Sequence, residues 1–294
     1  MARSFAGAGV ALVTPFTSDG ALDEPALRRL VRRQVAGGID VLVPCGTTGE
    51  SVTLTAAETE RVIAVTLEES GGKPVLAGAG SNDTRAAVEK ARAAAALGAH
   101  GILSVAPYYN RPTPEGFYRH FAAIADAVTV PVVFYNVPGR TGSNIDARTQ
   151  RRLAGHGNVG GVKEASGNLG QIMEVLRDRP EGFLVLSGDD AFTLAMMAHG
   201  AEGVISVCAN QVPGPMHDLV AACARGDFGE ARRIHNRLLK LMNLNFVESS
   251  PIPVKASLAL LGLVEESFRL PMCPPGEPTR EALRAALREL ELLK

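Results

Sequence analysis

Cysteine is scarce and unpaired in this sequence. Cys45, Cys208, Cys223 and Cys273 are scattered over 294 residues, and no two form a CxxC pair. That argues against a disulfide framework and against the usual zinc patterns, and it fits reduced thiols in a cytoplasmic protein. The six histidines form no HxxxH cluster, so no metal centre is expected. No apolar run reaches the roughly 18 residues that a membrane helix needs. Neither sign of charge dominates. Thirty Lys+Arg oppose 31 Asp+Glu, for a net charge of −1, which removes any general electrostatic reason to bind nucleic acid or an anionic membrane. Lysine itself is rare: the basic residues divide into 6 Lys and 24 Arg. Each lysine therefore merits inspection.

The hydrophobic share is 46% and the charged share 21%. A sizeable core is expected, and disorder is not. At about 150 residues per domain the length allows two domains or one large barrel. Residues 1–16 mimic a weak secretory leader. One arginine, a short apolar run and then Thr14-Pro15 instead predict a buried first strand ending in a turn.

Short apolar runs alternate with amphipathic segments. The runs begin near Val10, Asp40, Pro74, Gly101, Pro131, Val159, Phe183 and Gly203. The segments between them, such as 24–36, 56–69, 84–97 and 114–127, show helical spacing. Continuous apolar strands with helical crossovers predict parallel strands covered from outside. Eight such units predict an α/β fold, a (β/α)8 TIM barrel over residues 1–225. A doubly wound sheet is the alternative, but it usually has fewer repeats and a nucleotide fingerprint. Residues 226–294 predict a C-terminal helical region packed on the barrel.

Barrel chemistry sits where strands lead into the following loops. Strand six reads Gly160-Gly-Val-Lys163-Glu-Ala-Ser-Gly167. Lysine is depleted in strands and costly to bury. Period two puts Lys163 on one face with Gly161 and Ala165, small residues that leave room for its amine, and Glu164 on the other face. Loss of hydration lowers an ammonium pKa, and a neutral amine can attack a carbonyl to form a Schiff base. A snorkelling or ion-paired lysine is the plainer reading.

Strand five ends Tyr135-Asn-Val-Pro-Gly-Arg140. Its tyrosine suits proton transfer and its arginine suits a carboxylate; a half-buried core tyrosine and a solvated loop arginine are the plainer reading. Tyr108 and Tyr109 follow strand four. Three of the four tyrosines thus fall after consecutive strands. The turn 46–51 after strand two offers backbone N–H groups and the hydroxyls of Thr47 and Thr48. Asp189-Asp190 invites a metal reading, but a helix start with favourable dipole contacts is preferred.

Six motifs in order resemble the dihydrodipicolinate synthase family, within the N-acetylneuraminate lyase superfamily of pyruvate-dependent aldolases. They are Gly46-Thr-Thr-Gly-Glu-Ser51, Pro107-Tyr-Tyr-Asn-Arg-Pro112, Tyr135-Asn-Val-Pro-Gly-Arg-Thr-Gly142, Gly161-Val-Lys-Glu-Ala-Ser166, Leu186-Ser-Gly-Asp-Asp190 and Pro251-Ile-Pro-Val-Lys255. The resemblance covers essentially the whole chain. It implies condensation of pyruvate with L-aspartate 4-semialdehyde on the diaminopimelate route to lysine. Lys163 matches the Schiff-base lysine. Thr47, Tyr109 and Tyr135 match a proton relay, in which Tyr109 serves a neighbouring subunit. Thr48 matches a contact to the pyruvate carboxylate, and Arg140 the holder of the second substrate's carboxylate. Gly188 and Ile205 match wall positions through their backbone.

The resemblance also implies no metal or organic cofactor and a homotetramer built from tight dimers. Lysine-inhibited members carry histidines and a glutamate where this chain has Ala56, Thr59 and Ala86, although Ser51, Asn82 and Tyr108 remain. Feedback inhibition is therefore expected to be weak or absent. Two rivals stand beside the synthase: another pyruvate aldolase, such as an N-acetylneuraminate or keto-sugar-acid lyase, and a non-catalytic binding protein on a barrel scaffold.

Overall fold

Strands and helices alternate from the first described residues. The strands are β1 (Gly7–Ala11), β2 (Val41–Val43), β3 (Leu76–Gly78), β4 (Gly101–Val105), β5 (Val132–Asn136), β6 (Val159–Glu164), β7 (Leu184–Ser187) and β8 (Gly203–Ser206). The barrel helices are α1 (Glu24–Ala36), α2 (Ala56–Glu69), α3 (Thr84–Ala96), α4 (Pro114–Asp126), α5 (Pro138–Thr141), α6 (Ala147–Ala154), α7 (Leu169–Asp178), α8 (Thr193–Ala198) and α9 (Pro213–Ala224). Three more follow: α10 (Phe228–Leu244), α11 (Ile252–Leu260) and α12 (Glu277–Glu289). This computed structural model describes residues 5–293; the part of the leader-like reading that falls on residues 1–4 lies outside them.

Every neighbouring strand pair is parallel, in the order β2-β1-β8-β7-β6-β5-β4-β3. A parallel bridge between Leu42 and Val75 closes the ring, and the Leu42 N–H donates to the Pro74 carbonyl beside it. The expected (β/α)8 barrel is the fold.

Period two divides the side chains cleanly. Ala11, Val43, Leu76, Leu103, Val133, Leu186 and Ile205 pack together inside the barrel. Val10, Leu42, Ala77, Ile102, Phe134, Val162 and Val204 face outward into the layer beneath the helices. There Phe134 packs between Phe121 and Phe183, with ring centroids 5.4 and 6.0 Å away. Full burial of one such ring stabilises by about 2–3 kcal/mol. Helix starts are set locally. Asp23, Thr55, Asp83, Thr113, Asp146, Asn168 and Asp227 each accept a backbone N–H in the first turn of the helix that follows. Thr55 and Glu58 form a reciprocal capping box.

The C-terminal helices do more than cover the barrel wall. Val254 and Leu258 of α11 pack on Val13, Leu30 and Val207. Val13 and Val207 follow the ends of β1 and β8, so α11 lies at the face where barrel chemistry sits.

Candidate active site

The pairing of β5 with β6 slips between Val132 and Val133, and beyond the slip Tyr135 lies directly opposite Lys163. Parallel neighbours in register point the same way, here into the barrel. The Lys163 Nζ stands 4.3 Å from the centre of the Tyr135 ring. Lys163 is 5% exposed. Burial pushes its pKa down to about 8; Asp190 and Asp189 pull it back up, and Arg140 pushes it further down. Among the described residues no carboxylate forms an ion pair with it. Burial also pushes the Tyr135 phenol up to about 12, so it stays protonated through neutral pH.

Space near the amine does not come from Gly161. A Cβ there would lie 2.6 Å from the Leu184 carbonyl, so that glycine serves the approach of β7. Gly188 supplies the space instead: a Cβ on it would lie 3.0 Å from two carbons of the Lys163 side chain and 2.8 Å from the Ala165 methyl. Glu164 points away from the barrel, as expected. It is fully buried and accepts from Asn136, Gln150 and the Ser166 N–H.

One cavity brings together Thr47, Thr48, Tyr135, Arg140, Lys163 and Gly188. Thr48 is buried and Thr47 exposed at its edge. Arg140 sits on the single turn α5 and donates from Nη1 to the Ser250 carbonyl at 3.3 Å. Two predicted residues lie elsewhere. Ile205 is buried inside the barrel, and Val207, two residues on, lines the cavity in its place. Tyr109 is 89% exposed, with a left-handed backbone (φ 74°), and does not line the cavity of its own chain.

Cys45, Val207, Phe246 and Ser250 also line the cavity, and sequence reasoning missed them in this role. Two of them come from the segment between α10 and α11, far from any barrel strand in sequence. The motif at 251–255 pointed to that segment without giving it a place.

The aspartates after β7 act as local acceptors. Asp189 caps a short 3-10 turn by accepting from the Ala191 N–H. Asp190 accepts from the Val207 and Cys208 N–H groups, which ties the end of β7 to the end of β8. Burial raises its pKa to about 6. Among the described residues, no three His, Cys, Asp or Glu side chains converge on a point that suits a metal ion, and no helix is long and apolar enough to cross a membrane.

A buried amine of lowered pKa beside a protonated phenol, with hydroxyls and an arginine at the rim, suits covalent capture of a small keto acid. Known proteins resemble this chain along its whole length. The 4-hydroxy-tetrahydrodipicolinate synthase of Chloroherpeton thalassium is 54% identical over 294 residues, covering 99% of this chain and 97% of its own. That of Prosthecochloris aestuarii is 53% identical over 292 residues, covering 99% and 98%. The solved dihydrodipicolinate synthase of Thermotoga maritima superposes with a TM-score of 0.97 at 43% identity, covering 99% of this chain and 100% of that one. A sequence model of the Dihydrodipicolinate synthetase family matches residues 4–290, and the chain belongs to that family.

Proposed function

We propose that the chain is a 4-hydroxy-tetrahydrodipicolinate synthase, condensing pyruvate with L-aspartate 4-semialdehyde through a Schiff base on Lys163. The observation that carries this reading is the buried Lys163 amine, with its pKa near 8, facing Tyr135 in a cavity rimmed by Arg140 and Thr48.

The neutral Nζ of Lys163 attacks the keto carbon of pyruvate, and loss of water leaves an iminium. The iminium draws electrons from the methyl carbon, which releases a proton and becomes an enamine. The enamine carbon attacks the aldehyde of the second substrate, and the aldehyde oxygen takes a proton. The amine carried by that substrate then displaces Lys163, closing the ring and freeing the enzyme. The iminium is itself the electron sink, so the route needs no organic cofactor or metal.

Tyr135 moves protons, with Thr47 and Tyr109 linking it to solvent. Thr48 holds the pyruvate carboxylate, Arg140 that of the semialdehyde, and Gly188 forms a wall through its backbone, with Val207 beside it where Ile205 was expected. Tyr109 acts on the site of a neighbouring copy within a homotetramer made of two tight dimers. Its 89% exposure and left-handed backbone support that role, as do Val52 and Leu270, apolar side chains 75% and 83% exposed. A cytoplasmic location belongs to the same reading; four free cysteines, three of them buried, suit a reducing compartment.

Borohydride reduction in the presence of pyruvate, followed by peptide mass spectrometry, tests the covalent step. An adduct on Lys163 is expected, and its absence ends every aldolase reading. Turnover with L-aspartate 4-semialdehyde but not N-acetylneuraminate separates the synthase from the sugar-acid lyases.

A further inference from the structure

A second lysine is buried more deeply than the first, and the chemistry above leaves it idle. Lys255, in α11, has no solvent exposure. Its Nζ donates to Oε1 of Glu50, which is 3% exposed. The rings of Phe16 and Phe268 lie 4.3 and 5.1 Å from the same nitrogen. An apolar pair of similar volume would serve the packing here about as well, because desolvating two charges offsets much of their attraction. Packing alone therefore does not require an ion pair at this place.

Glu50 belongs to the turn that carries Thr47 and Thr48. Its backbone is left-handed (φ 51°), which a non-glycine residue adopts only when its surroundings hold it there. The Gly49 N–H donates to the Gly46 carbonyl and the Glu50 N–H to the Thr47 carbonyl, both at 3.1 Å. The Thr14 hydroxyl donates to the Gly49 carbonyl at 2.7 Å. Glu50 thus closes the turn by its backbone and anchors it by its carboxylate. The second carboxylate oxygen accepts from the Arg269 N–H at 3.4 Å. The segment that supplies Lys255 also supplies the Ser250 carbonyl that receives Arg140. One stretch of the C-terminal region therefore touches both parts of the cavity rim that suit carboxylates.

We infer that Lys255 is a positioning residue: through Glu50 it holds the 46–51 turn in the conformation that presents Thr48 to the carboxylate of an α-keto acid. The inference rests on the keto-acid reading of the cavity, and it adds a buried ion pair, remote in sequence, as the part that sets pyruvate affinity.

The test is borohydride trapping of Lys163 over a range of pyruvate concentrations, on the full chain. The variants are Glu50→Gln, Lys255→Met and the double substitution. Glu50→Gln is the mildest and keeps a hydrogen-bond acceptor should Lys255→Met fold poorly. Each single variant is expected to need at least about tenfold more pyruvate for half-maximal adduct, while full labelling is still reached at saturation. The double variant should be no worse than the poorer single one, since the pair acts as a unit. A lower melting temperature with unchanged half-saturation overturns the inference, because the pair is then only structural. Loss of labelling at saturating pyruvate in a folded variant also overturns it, because the effect then falls on the amine. Absence of adduct in the parent protein is a different failure, that of the keto-acid reading itself.

Discussion

Lys163 and Tyr135 meet across adjacent strands, with the amine 4.3 Å from the centre of the ring. This contact puts a buried amine of lowered pKa and a protonated phenol on one wall, and no carboxylate among the described residues pairs with the amine. The arrangement costs stability. Burial lowers the lysine pKa from 10.5 to about 8, a displacement of order 3 kcal/mol against the charged form. The folded state binds its proton less tightly than the unfolded state does. The penalty is therefore complete below pH 8, shrinks between pH 8 and 10.5, and vanishes above. Lys163→Met, similar in volume, is expected to abolish the borohydride adduct and to raise the melting temperature at pH 7. By pH 9.5 more than half of that gain should be gone. A variant no more stable than the parent at pH 7, or a gain that ignores pH, contradicts the assignment.

The Tyr135 hydroxyl can be removed without disturbing the ring that carries it. Tyr135→Phe keeps the ring that packs inside the barrel and deletes the hydroxyl proposed to carry protons. A fall in kcat of about 10²–10⁴ is expected, with little change in melting temperature. If Tyr109 serves a neighbouring site, Tyr109→Phe and Tyr135→Phe chains should each be weak alone. Mixed assemblies of the two should recover activity, because one site then has both hydroxyls. No recovery in mixtures of confirmed composition counts against action between subunits.

Arg140 is expected to discriminate between the two substrates. Arg140→Ala should raise KM for L-aspartate 4-semialdehyde by about 10–100-fold, the worth of a charge-assisted contact. Half-saturating pyruvate in trapping experiments should change less than twofold. Arg140→Lys should restore only part of the loss, since an ammonium cannot form the paired contact. A second signature follows from charge. Arg140 pushes the Lys163 pKa down, so its removal should move the rising limb of the adduct–pH profile to higher pH. An unmoved limb with unchanged KM would remove Arg140 from the site.

The barrel was legible because its signals are local. The period-two runs and the capping residues sit next to the elements they define, and α1 and α2 fall on their expected spans. The first strand starts at Gly7 rather than Val10, because its glycines weaken the strand signal while answering a tertiary need. A Cβ on Gly203 of β8 would lie 2.0 Å from the Gly7 carbonyl, so the two strands meet where no side chain fits. Lys163, Tyr135, Thr47, Thr48 and Arg140 were legible as candidates because barrel chemistry gathers at strand ends, whereas Gly188 was legible only through the family resemblance. Phe246, Ser250 and Lys255 were not, because only the folded chain brings the C-terminal region over the mouth. α11 is buried all round from Ile252 to Leu258, so no helical periodicity marks a face for Lys255.

Regulation by lysine is expected to be weak or absent. Ser51 and Tyr108 line one cavity beside the site, Ala56 and Thr59 line the next, and Lys90 stands in both walls. A free lysine brings an ammonium group that needs an acidic partner. Ala86 provides none. Glu50, in the first wall, is already neutralised by Lys255, and Glu60, in the second, is exposed to solvent. Lys90 adds repulsion. Calorimetry with L-lysine up to about a hundred times the micromolar range should give no saturable heat, and activity should stay within twofold. Micromolar binding would contradict this. In that event Ala86→Glu, which restores an acid on α3, should leave affinity unchanged; if the missing acid is the cause, it should instead create lysine binding where the parent has none.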